Sequence, residues 1–161
     1  MSFSSKKIST YITAQGPAML YFINDLLDPL TSYVKDDPVR PEIPLDFRIA
    51  DNAEIIVLLG SEKPTAIVCV AYRDFVPKDT VELVSPPYEP SVAVFYTIWS
   101  YIPGAGRDLI VQARKELTKR KPNIKKFVTL SPQTEMARKF HLKNGATIFS
   151  ENANSVNYEY A

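Results

Sequence analysis

Residues 54–72 restrict what this chain can fold into more than any other stretch. Glu54-Ile-Ile-Val-Leu-Leu59 and Thr65-Ala-Ile-Val-Cys-Val-Ala-Tyr72 are β-rich apolar runs separated by the polar turn Gly60-Ser-Glu-Lys-Pro64. Two such runs around a short turn predict an antiparallel hairpin. A third run, Val92-Ala-Val-Phe-Tyr-Thr-Ile-Trp99, has the same β-branched and aromatic character. Runs that stay apolar on successive residues are buried on both faces, so this sheet needs helices on either side.

The remaining segments supply them. Pro17 opens a segment with Met19, Leu20, Phe22, Ile23, Leu26, Leu27, Leu30, Tyr33 and Val34 at helical spacing, which predicts a helix kinked or divided at Pro29. Residues 1–14 read as a loose tail and the proline-rich 36–44 stretch as a connector. Pro77, Pro86, Pro87 and Pro90 make 73–90 a long irregular link that could overhang a site. Leu109, Ile110, Ala113 and Leu117 predict a helix over 108–120 that Pro122 ends. Phe127-Val-Thr-Leu130 is a fourth strand. Ser131-Pro132 then matches an N-cap followed by proline at the first helical position, so a helix should start there and close at Asn144-Gly145 with a left-handed glycine. Thr147-Ile-Phe149 and Val156-Asn-Tyr-Glu-Tyr160 complete the chain as strands. The order predicts an α+β domain over residues 1–161: a mixed, mostly antiparallel sheet with one strand-helix-strand crossover and helices on both faces.

Composition narrows the function classes. Lys and Arg number 19 against 18 Asp and Glu, a formal charge of +1, so no global field favours nucleic acid or an anionic membrane. Basic residues do gather in 114–121 and at Lys125-Lys126, as either a solvated helix end or a patch for a phosphorylated ligand. The single cysteine, Cys69, sits in an apolar run and reads as a buried, inert thiol. One cysteine and one histidine leave no structural zinc set. The polar N-terminus lacks the apolar core of a signal peptide, and no apolar span of membrane length occurs, so a cytoplasmic protein is expected. Exposed edge strands at the termini admit a homodimer.

Two stretches carry chemistry. Gly104-Ala105-Gly106 lies between a strand and a helix, where free N–H groups and the helix dipole suit an anion; small residues allow close approach and Arg107 adds a charged donor. Glycines also serve tight turns, and the phosphate-loop and dinucleotide fingerprints are absent. The second stretch is Phe140-His-Leu-Lys-Asn-Gly-Ala146. By spacing alone, His141 is a histidine near a helix C-terminus, favoured there by charge. Tyr96 and Trp99 read as core.

These stretches carry a resemblance. Tyr101-Ile-Pro-Gly-Ala-Gly106 after a strand resembles the coenzyme A turn of the N-acetyltransferase-like (GNAT) superfamily. Thr134, Ala137, His141 and Gly145 have the spacing of that superfamily's NxxAxxxYxxxGF element, with His141 where many of those enzymes place a tyrosine acid. Tyr101, Thr134 and Ala146 depart from it, replacing Arg or Gln, Asn, and an aromatic residue. The sequence more closely resembles the catalytic C-terminal domain of malonyl-CoA decarboxylase. The blocks concerned are Ala93-Val-Phe-Tyr-Thr-Ile98, Leu130-Ser-Pro132, Phe140–Ala146 and Val156-Asn-Tyr-Glu-Tyr160.

The resemblance implies a GNAT-like fold, an acyl-coenzyme A ester as substrate with no metal, and Ser131 and His141 as catalytic residues. Ile98, Trp99, Ser100, Gly104, Ala105, Gly106, Arg107 and Thr134 would contact the coenzyme. Decarboxylation, acyl transfer to an amine and non-catalytic binding stay open; for the amine reaction Glu82, Glu89 and Glu135 are available bases. One helix unbroken from 132 to 142 would hold Ser131 and His141 about 15 Å apart along its axis, too far to share a reacting atom.

Overall fold

The computed structural model describes residues 8–13 and 16–161. Among these, eight strands form: β1 Ile8–Thr13, β2 Gly16–Ile23, β3 Ala53–Leu59, β4 Pro64–Arg73, β5 Val92–Ser100, β6 Lys126–Thr129, β7 Thr147–Glu151 and β8 Val156–Tyr160. They join in one sheet in the order β1-β2-β3-β4-β5-β6-β8-β7. All neighbours are antiparallel except β5 and β6, which run parallel. A parallel pair needs a crossover, and helix α3, Ala105–Arg120, supplies it.

The helices are α1 Leu45–Arg48, α2 Thr80–Leu83, α3 Ala105–Arg120 and α4 Glu135–Lys143, preceded by a 3-10 segment, Pro29–Asp36. Strand alternation sends successive side chains to opposite faces. Accordingly Ile56, Leu58, Val68 and Val70 pack with Leu109, Ile110, Ala113 and Leu117 of α3 in one core. Ile55, Val57, Ile67 and Cys69 enter a second core, against which Leu30, Tyr33 and Val34 of the 3-10 segment and Leu45 and Phe47 of α1 pack. Each such aliphatic side chain contributes roughly 1.5–3 kcal/mol on burial. The predicted α+β class, the hairpin and the crossover are all present. Among the described residues no helix is long and apolar enough to cross a membrane.

Three expectations are corrected. The helix expected from Pro17 to Val34 is instead strand β2, a turn, and the 3-10 segment. Ala18-Met-Leu-Tyr-Phe-Ile23 is apolar at almost every position, so it satisfies a two-residue period as well as a helical one; pairing with β3 decides, sending Phe22 to one core and Ile23 to the other. Pro29 does break the segment: it follows the N-cap Asp28, whose side chain accepts the Leu30 N–H at 2.9 Å. Within the expected loose tail, residues 8–13 form edge strand β1; residues 1–7 and 14–15 lie outside the described residues.

The third correction concerns Ser131, which caps no helix. Its N–H and C=O both pair with Val156 at 2.9 Å, so the chain is still extended there. The N-cap of α4 comes three residues later, with Thr134 Oγ1 accepting the Ala137 N–H at 3.2 Å. Gly145 closes α4 at φ +97°, as expected. The 73–90 link contains α2 and is tied to the β8 end by Ser155 and Asn157, which donate to the carbonyls of Lys78 and Pro77.

Candidate functional site

The site arises where β5 and β6 part. Their parallel ladder runs from Val92↔Lys126 to Phe95↔Thr129, and its last bond is Leu130 N–H to Phe95 C=O at 3.1 Å. Beyond it Ser131 turns to Val156, while β5 continues along β4 to Ser100. The β4–β5 register shifts between Cys69↔Thr97 and Val70↔Phe95, which makes Tyr96 the extra residue of a bulge. Tyr101 N–H bonds Thr65 C=O at 2.8 Å. Strand alternation therefore turns the Trp99 and Thr97 N–H groups towards β4, and those of Ile98 and Ser100 towards the gap. The gap is a cavity of about 340 Å³, walled by β5 from Phe95 to Ser100, by Leu130–Pro132, by α4 and by Pro38 and Val39. A cleft at the carboxyl ends of diverging strands is where open α/β sheets place ligands.

Ser131 and His141 both line this cavity. The late start of α4 brings them there, since the two residues do not lie on one helix. His141 is 4% exposed, and burial pushes its imidazole down to about 4, so the ring is neutral at pH 7. It is therefore no charged helix terminus. Its Nδ1 lies 2.7 Å from Tyr160 Oη. Burial raises the Tyr160 phenol well above its usual range, so the phenol stays protonated; when its O–H donates to Nδ1, the ring proton sits on Nε2. Tyr158 stacks on the imidazole at 5.0 Å and Phe140 meets it edge-on at 5.1 Å. The guanidinium of Arg114 lies 5.2 Å over the Tyr160 ring.

Ser131 Oγ lies 2.8 Å from Thr129 Oγ1, which also accepts the Tyr158 N–H at 3.1 Å. Asn157, fully buried, donates to Thr129 C=O at 2.8 Å and so fixes this corner. Ile98, Trp99, Ser100, Gly106 and Thr134 line the cavity as well. Gly104, Ala105 and Arg107 lie outside its lining. Gly104 adopts φ 82° as the α3 N-cap. Gly106 permits a close approach, because a Cβ there would meet the Phe140 ring at 3.3 Å. In the first turn of a helix, N–H groups such as those of Gly106 and Arg107 have no intrahelical acceptor. Tyr96 and Trp99 are buried in the second core and also face the cavity.

Sequence reasoning missed the floor of the site. Asp37 and Arg48 form an ion pair at 2.7 Å with both side chains fully buried. Burial opposes ionisation of Asp37, but the N–H groups of Arg40 and Val39, the Arg48 guanidinium and the Thr97 hydroxyl hold its carboxyl below the usual range. Arg48 also reaches Cys69 Sγ at 3.4 Å; burial pushes that thiol up to about 11, so it is inert. Nothing in a proline-rich connector signals that its charges will be buried.

No protein-family model and no curated protein matches this sequence. Solved structures do. Malonyl-CoA decarboxylase from Rhodopseudomonas palustris is similar at TM-score 0.70 and 20% identity, over 89% of this chain and 60% of that one. The GNAT domain of S. lividans PAT is similar at TM-score 0.65 and 12% identity, over 99% of each chain. The paia N-acetyltransferase from Thermoplasma acidophilum, in complex with coenzyme A, is similar at TM-score 0.56 and 10% identity, over 88% of this chain and 98% of that one. This chain spans between 35% and 60% of the length of three malonyl-CoA decarboxylase chains it matches. Sheet order, the parallel fork and these likenesses together identify a GNAT-like fold, close to that of the malonyl-CoA decarboxylase structures.

Proposed function

We propose that this chain binds an acyl-coenzyme A ester in the fork and decarboxylates malonyl-CoA or a related β-carboxyacyl-CoA, with His141 as proton donor. The observation carrying this reading is the chemistry of the lining. It offers hydrogen-bond donors (the Ile98 and Ser100 N–H groups, the Thr134 hydroxyl and His141) among apolar walls such as Phe95, Leu130 and Phe140. Decarboxylation needs such groups and no base. A carboxylate among those walls is poorly hydrated, and releasing carbon dioxide relieves that cost.

In the reaction the bond between the α-carbon and the carboxylate breaks. Its electron pair passes to the thioester as an enolate, whose oxygen takes hydrogen bonds from Ile98 or Ser100 N–H. His141 Nε2 gives its proton to the α-carbon while Nδ1 recovers one from Tyr160, and solvent restores the phenol. Arg114 over the Tyr160 ring favours the transient phenolate. Ser131 O–H donates to Thr129 Oγ1 here, so to hold the departing carboxylate that hydroxyl has to rotate into the cavity. The Gly104–Arg107 turn would hold the pyrophosphate. Likeness to an N-acetyltransferase solved with coenzyme A supports acyl transfer as the second reading. That reaction needs a base for the amine, and Glu82, Glu89 and Glu135 do not line the cavity.

The deciding assay incubates the protein with malonyl-CoA alone and with acetyl-CoA plus amines, following carbon dioxide and free thiol. Carbon dioxide release that His141→Ala abolishes is the expected result. Acceptor-dependent thiol release instead selects the transferase reading, and calorimetry without binding of either ester sinks both.

A further inference from the structure

The bulge at Tyr96 has a cost elsewhere in the sheet. In a continuing parallel ladder, Leu130 C=O would accept from the N–H of Thr97, two residues beyond the Phe95 carbonyl that receives Leu130 N–H. The bulge turns Thr97 to β4, so Leu130 C=O has no strand donor at the fork. Arg40 fills that role: its Nη2 donates to Leu130 C=O at 2.8 Å and its Nε to Tyr96 C=O at 3.3 Å. One guanidinium therefore joins the two strands where they separate. Its own backbone is anchored at both ends, by Arg40 N–H to Asp37 Oδ1 at 3.0 Å and by Arg48 Nη2 to Arg40 C=O at 2.7 Å. That anchorage is the buried Asp37–Arg48 pair, and Asp37 also takes the Thr97 hydroxyl at 2.8 Å.

We propose that Arg40 is a positioning residue that sets the opening of the β5–β6 fork, and with it the separation between the Ile98 and Ser100 N–H groups and the Ser131–Pro132 wall. The planar fork of a guanidinium suits this, since it can hold two carbonyls at a fixed spacing; an ammonium holds them without fixing the angle between them. Arg40 does not itself line the cavity, so its effect on a ligand passes through the strands. That this positions an acyl-coenzyme A ester rests on the function proposed above; the clamp itself does not.

Two variants test it: Arg40→Met, which keeps much of the stem, and Arg40→Lys, which keeps the charge and folds if the apolar replacement does not. Amide hydrogen exchange is followed by residue, and acetyl-CoA and malonyl-CoA affinities by calorimetry. The proposal expects exchange at residues 97–100 and 130–132 to quicken by about tenfold or more while β2, β3 and α3 amides stay unchanged, with Lys weaker in effect than Met. Affinity for either ester should fall about tenfold in Arg40→Met and partly recover in Arg40→Lys. Unchanged exchange at the fork, or acceleration spread evenly over the sheet, overturns the clamp, as does unchanged affinity in a wild-type protein that binds. Local acceleration in a protein whose wild type binds neither ester leaves the clamp standing and removes the acyl-coenzyme A reading.

Discussion

At the scale of one residue, the burial that keeps the His141 ring neutral also ties stability to pH. Its imidazole falls from 6.5 to about 4 on folding because burial disfavours the charged ring. Between those values the unfolded chain binds more protons than the folded one, so stability is fully present above pH 6.5 and is lost as pH drops towards 4. The loss attributable to this ring is about 3 kcal/mol. Urea unfolding at pH 7, 5.5 and 4.5 should show that decline, and a His141→Gln variant should show less of it; parallel declines in the two proteins would remove the burial explanation. The same burial accounts for the proton inventory of the site. A neutral ring that accepts from Tyr160 offers Nε2–H as a donor throughout the neutral range.

At the scale of elements, two local irregularities make the cavity: the Tyr96 bulge and the late start of α4. The second is testable. Thr134, and not Ser131, supplies the cap, so Thr134→Ala should cost about 1 kcal/mol in thermal or urea unfolding by freeing the Ala137 N–H. Ser131→Ala leaves the α4 cap intact, and helical circular dichroism should stay at the wild-type level. A Ser131 variant that frays α4 would contradict the assignment. The dipeptide Ser131-Pro132 resembles a helix start, but its backbone bonds to Val156 hold it in extended form. Cap chemistry is local, whereas that bridge joins residues far apart in sequence.

Across the whole molecule, the connector after the 3-10 segment becomes the floor of the site because Asp37 and Arg48 are buried together. Removing one partner of such a pair strands a buried charge and costs about 3–5 kcal/mol. Asp37→Asn should therefore lower the urea midpoint sharply, and Arg48→Met combined with Asp37→Leu should recover part of the loss. A single variant as stable as the wild type would mean the pair is worth little.

Much was legible without coordinates: the β3–β4 hairpin, the β5–α3–β6 crossover and the glycine cap of α4 all follow from apolar period and from proline and glycine placement. Strand β2 was not, because a run that is apolar at nearly every position satisfies both periods. The sequence by itself determined the sheet from β3 to β8, its crossover and the residues available for chemistry, since period and turn propensity act over neighbouring positions. Only the tertiary structure decided that Ser131 and His141 share a cavity, that the imidazole is neutral, and that Arg40 ties two strands whose carbonyls lie 56 and 90 positions away. Burial and pairing over such separations depend on how the faces pack, and no local pattern encodes them.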